Sequence, residues 1–215
     1  MELRLHPADG SVSRVEVTRV AEGLWRWTAS HPDWKPRQGW EREVGCVYWE
    51  EGDEAIVLVD PLVPADAGER ERFFSALDRD VERAGLPVVV LLTCAWHARS
   101  SDELVERYGG RLVTGSDGEL PSGVDAVGIA SEPEWVVWLE DPATLVPGDV
   151  LLGTAEGLEL CPASWLESRS RGQLARELEP LLDLPAERVL TSHGPPVLSG
   201  ARDVLARLLA RYAPA

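Results

Sequence analysis

Residues 87–93 (PVVVLLT) form an apolar run with nothing polar before its last residue, and that run narrows the folds open to the chain. It is far too short to cross a bilayer, which takes ~20 residues, and its β-branched valines favour a strand. A strand apolar on both faces must be covered on both, so the chain has to supply one layer above it and another below.

The surrounding periodicities supply such layers. Residues 12–20 (VSRVEVTRV) alternate apolar and polar, the period of a half-buried strand. Glu22 and Gly23 turn into LWRWTAS, where Leu24, Arg26 and Thr28 face one way and Trp25 and Trp27 the other. Residues 31–40 read as a loop, and residues 44–49 and 55–60 flank EEGDE as a hairpin. Over residues 65–84 the period changes: Phe73, Leu77, Val81 and Ala84 mark one face of a helix, and Gly85 stands where a glycine stop is expected.

After the loop 94–100 comes a short helix over 101–108, with Ser100 and Glu103 spaced as a capping box. Residues 111–114, 124–130, 135–139 and 144–146 read as strands, and 150–152 as a strand end. Leu174, Leu178 and Leu181 describe a helix that Pro180 kinks. Residues 188–190 form a short strand, and Leu205, Leu208 and Tyr212 give the last helix its apolar face. Two packed sheets with helices outside accommodate this order, as do other α/β arrangements.

A length of 215 residues suits a single domain over 1–215. The start lacks the basic-then-apolar order of a signal peptide, and no apolar run approaches a membrane span, so a cytoplasmic protein without a membrane partner is expected. A net charge of −16, with arginines scattered among acids, argues against a nucleic-acid partner and leaves a small-molecule ligand or substrate. Cys46, Cys94 and Cys161 are widely spaced without a CxxC, as for buried reduced thiols.

Three loops narrow the choice. AIVLVDPL ends a strand on Asp60, LVPGDVLLG carries Asp149, and VLTSHGPPV carries His193. In order and spacing they resemble the metallo-β-lactamase superfamily, and the resemblance spans roughly residues 12–212. It implies an α+β fold, a four-layer αββα sandwich, and a hydrolase ancestry. The family's His-x-His-x-Asp-His loop gathers imidazoles and a carboxylate on metal ions, which suits zinc. Here that loop reads TCAWHARSS. With His97 on the second histidine, Ala95, Arg99 and Ser100 fall on the first histidine, the aspartate and the last histidine. A register one residue earlier puts Cys94 on the first histidine. The family's later histidine falls near Ala130, where none stands; Asp149 matches the bridging aspartate and His193 the final histidine.

The resemblance therefore implies His97, Asp149 and His193 as candidate metal ligands and catalytic residues. They serve one divalent ion, zinc foremost, or hydrogen bonds in a protein that holds none. Glu132, Glu134 or Cys161 are candidates to replace a lost ligand. Arg99 brings a permanent charge that can pair with Asp149 or hold an anion. Arg99, Trp96, Cys94 and Trp165 are the candidate substrate-binding residues. Cys94 with His97 also has the composition of a thiol and base, though nothing in the sequence supplies an orienting third residue. Trp25, Trp27, Trp34, Trp40, Trp96 and Trp165 are expected around the loop end, and His6 and His31 carry no motif. Two functions follow: a hydrolase of a small ester, thioester, amide or lactone, or a metal-free binder of an anionic small molecule or a partner.

Overall fold

The structure, a computed structural model, describes residues 15–51, 54–115, 118–130, 133–166 and 169–212. Its first sheet holds β1 (Glu16–Ala21), β2 (Leu24–Ser30), β3 (Glu43–Glu51), β4 (Ala55–Val59), β5 (Val88–Leu92) and β6 (Arg111–Thr114), side by side in that order. Strands β1 to β4 meander antiparallel, whereas β4, β5 and β6 run parallel. Parallel neighbours need crossovers, which α1 (Ala67–Ala84) and α2 (Ser101–Tyr108) provide. The apolar run is β5, buried at every position between two parallel neighbours.

The second sheet holds β7 (Val124–Gly128), β8 (Trp135–Leu139), β9 (Thr144–Pro147) and β12 (Arg188–Val189) in the order β12-β9-β8-β7. A separate hairpin of β10 (Leu151–Thr154) and β11 (Gly157–Leu160) follows β9. Helices α3 (Arg171–Leu178) and α4 (Ala201–Ala210) complete the chain, and Pro180 turns the end of α3 into a 3-10 segment, Glu179–Asp183.

Three apolar clusters fix the layering. Val47, Trp49, Val57, Val59, Val89 and Leu91 of the first sheet pack on Val137, Leu139, Val146 and Leu190 of the second half. The opposite face of the first sheet, with Ile56, Leu58 and Val90, meets Phe74 and Leu77 of α1 and Leu104 of α2. The far face of the second sheet, with Val136, Trp138 and Leu145, meets Leu174 and Leu178 of α3 and Leu205 and Leu208 of α4. The result is the expected α+β sandwich, αββα. No described helix is long and apolar enough to cross a membrane.

Several local expectations change. Strand β1 starts at Glu16 and is mostly exposed, being the edge of the sheet among the described residues; residues 12–14 lie outside them. The face of α1 is centred on Phe74 and Leu77, with Phe73, Val81 and Ala84 at its margins. Ser100 is the N-cap residue of α2, but its side chain makes no capping bond: its hydroxyl accepts from Val63 N–H at 2.9 Å, and Glu103 pairs with Arg70. Strand β11 was not expected at all, and the strand end at 150–152 is the full strand β10.

Candidate metal centre

The first sheet delivers one candidate ligand and the second half two. Strand β5 ends at Leu92, and a 3-10 turn, Ala95–His97, aims His97 inward, 3% exposed. Asp149 sits in the turn between β9 and β10. His193 lies in the loop after β12, tied down from several sides. Gly45 N–H donates to Ser192 O at 2.7 Å, Gly153 N–H to His193 O at 2.9 Å, and Arg26 Nη2 to Thr191 O and Gly194 O at 3.1 and 3.2 Å. Gly194 has a φ of +77°, and a Cβ there would lie 2.0 Å from Gly153 O, so the loop closes this tightly only around glycine.

Nε2 of His97 and Nε2 of His193 each lie 3.2 Å from Asp149 Oδ1. Both are close approaches without hydrogen-bond alignment, since Asp149 Oδ1 is buried with no satisfied bond. Ligand atoms at ~2.0–2.1 Å around a tetrahedral zinc stand about 3.3 Å apart. One atom from each of the three residues lies within 4.8 Å of the others, so the donor set fits one divalent ion.

Behind His97 stands Asp60, whose Oδ2 accepts from His97 Nδ1–H at 2.8 Å and from Thr93 Oγ1 at 2.5 Å, while Oδ1 accepts Thr93 N–H at 2.9 Å. Donation through Nδ1 leaves Nε2 free to bind forward, the arrangement that orients histidine ligands. Asp60 takes this position at a φ of +48°, a conformation a non-glycine residue rarely adopts and one that gathers at functional sites. Without an ion, burial opposes charge on His97, but Asp60 and then Asp149 outweigh it and raise its pKa well above the ordinary value. Burial would likewise push the Asp149 carboxyl up; the imidazoles of His193 and His97 hold it well below the usual carboxylate range.

The three ligands open onto a cleft of about 310 Å³ that His31, Gln38, Trp40, Trp96, Arg99 and Trp165 also line. Trp40 packs against His193 with ring centroids 5.3 Å apart, and Trp96 Nε1–H donates to Asp149 Oδ2 at 2.8 Å. Glu134 is buried nearby and its Oε1 accepts Val150 N–H at 2.7 Å. Burial foremost, then the Asp149 charge, pushes its carboxyl up to about 8.

No protein-family model matches the sequence, and no curated protein matches it either. Solved structures do match by shape. VMB-1 superposes with a TM-score of 0.62 at 14% identity, over 95% of this chain and 100% of that one. A metallo-β-lactamase from Erythrobacter litoralis gives 0.58 at 18%, over 94% and 93%. A metallo-β-lactamase family protein from Thermus thermophilus gives 0.57 at 16%, over 90% and 80%. The chain has the metallo-β-lactamase fold.

Within this metallo-β-lactamase fold the expected residues fare unequally. His97, Asp149 and His193 converge, and Trp96 and Trp165 line the cleft. Arg99 lines it too but does not pair with Asp149; its Nη1 donates instead to the first sheet's side of the cleft, to Asp60 O at 2.9 Å and Gly45 O at 3.4 Å. Cys94 lies off the cleft, 3% exposed, with burial pushing its thiol up to about 11, which does not suit a nucleophile. Among the tryptophans, Trp34 reaches the site only through its bond to Trp40 O, and Trp25 and Trp27 belong beside α1 instead. Glu134 and Cys161 stand outside the donor group, and Glu132 lies outside the described residues. The sequence marks no role for His31 or Gln38, which stand in no motif, nor for Thr93, which opens the TCAWHARSS loop without matching a ligand position.

Proposed function

We propose that this chain is a hydrolase of a small ester, thioester, amide or lactone that works with one divalent metal ion, zinc foremost, held by His97, Asp149 and His193. The approach of both imidazole Nε2 atoms to the unsatisfied Asp149 Oδ1 at 3.2 Å carries this reading. A divalent ion there would polarise the scissile carbonyl and make water acidic enough to attack near neutral pH. The residues do the rest. Asp60 fixes the His97 tautomer, Trp96 holds the second Asp149 oxygen, and the indoles of Trp40, Trp96 and Trp165 give the cleft around the centre an apolar wall. Protein purified without a histidine tag should carry about one equivalent of metal and lose ester hydrolysis to a chelator. Folded protein that takes up no zinc, iron or manganese in equilibrium dialysis sinks the proposal.

A second reading draws on Arg99, whose Nε is buried without a hydrogen-bond partner in the cleft wall. On that reading the chain binds an anionic small molecule without a metal. A thermal shift with carboxylates that Arg99→Ala removes and chelation leaves intact would favour it.

A further inference from the structure

A second, smaller chamber of about 180 Å³ adjoins the cleft, and Trp96, Asp149 and Trp165 line both. Its remaining walls come from Val150, Cys161 and Leu166, at 1, 3 and 6% exposure, with the Glu134 carboxyl at one side. Apolar cavities of ~150 Å³ take up benzene, so a chamber of this size and lining matches one ring or a short branched chain. Its partition is light. Trp96 sits on the three-residue turn Ala95–His97, half exposed, and its indole is tethered to Asp149 Oδ2 at 2.8 Å. That indole is common to both walls, together with Asp149 and Trp165, so an outward turn of it would widen the passage between chamber and cleft.

We propose that the chamber is the subsite for a small apolar substituent of the substrate, seated next to Asp149, while the polar remainder lies in the larger cleft with Gln38 and Arg99. This inference rests on the hydrolytic reading above and narrows its substrates to those bearing one ring or a short branched chain beside the scissile bond. The indole of Trp96 is the doorway, which such a group displaces on entering.

The test is a titration of methyl-labelled full-length protein with benzyl alcohol, a neutral single-ring probe, followed by NMR before and after metal removal. Saturable shifts at the Val150 and Leu166 methyls that survive chelation are expected, with no such shifts from 2-naphthalenemethanol. Cys161→Phe should weaken binding by about tenfold or more, on the scale of one lost apolar burial, while Cys161→Ser retains it. If Cys161→Phe does not fold, the size limit between the two alcohols decides. Absence of shifts, or shifts confined to Val17 and Leu77, which line a separate groove beside α1 with Trp25 and Trp27, overturns the subsite. Binding in the chamber without any chelator-sensitive hydrolysis counts instead against the hydrolytic reading and leaves the ring-sized site standing.

Discussion

At the scale of single residues, Asp60 governs how His97 presents itself. Its carboxylate grips Nδ1–H at 2.8 Å and the Thr93 amide at 2.9 Å. Asp60→Asn keeps the shape but removes the charge, and zinc affinity by competition with a chromophoric chelator should fall about 10–100-fold. The same groups set the pH response of chelator-treated protein. His97 binds its proton more tightly folded than unfolded, so its stabilisation is complete below pH 6.5 and is lost as pH rises through its raised pKa. Glu134, raised from 4.5 to about 8, adds a penalty that grows between those values. Asp149, held below 3.8, contributes above that pH and fails as the solution is acidified further. Thermal melts of the metal-free protein should therefore peak in the mildly acidic range and decline toward pH 9. A profile that rises through pH 8 would contradict these assignments.

At the scale of elements, Glu134 couples two loops. Its backbone bridges Cys94 at the end of β5, and its carboxyl caps Val150 in the turn that carries Asp149. A Cβ on Gly148 would lie 2.6 Å from Glu134 Oε1 and 2.8 Å from Thr93 Oγ1, so the turn packs this closely only with glycine. Glu134→Gln keeps an acceptor and should be nearly neutral at pH 7. Glu134→Ala strands the Val150 N–H and should cost about 1–3 kcal/mol in urea melts. Strands and helices with a long or clean period, such as β5 and α1, were legible in the sequence. Strand β11 was not, because Gly157–Leu160 is only four residues and its alternation is confined to Leu158, Glu159 and Leu160. The Ser100 cap misled because tertiary contact with Val63 outcompeted the local bond. The convergence of His97, Asp149 and His193 was legible through their loop motifs. The grip of Asp60 and the place of Glu134, Gln38 and His31 were not, since only packing brings them to the cleft.

At the scale of the whole molecule, a net charge of −16 opposes compaction. Raising sodium chloride from about 10 to about 200 mM should lift the melting temperature by about 2–4 °C, the response to roughly 1 kcal/mol in a chain of this size. An unchanged or lower value would place the acidic groups in favourable local pairs instead. The division of labour at the centre has a wider effect. His97 belongs to one sheet, whereas Asp149 and His193 belong to the other half of the sandwich. An ion clasped by all three would rivet the two leaves, since neither leaf by itself offers more than two of the three donors. Opening the molecule would then forfeit the ion, so a bound ion would hold the leaves together by mass action, the more strongly the higher its free concentration.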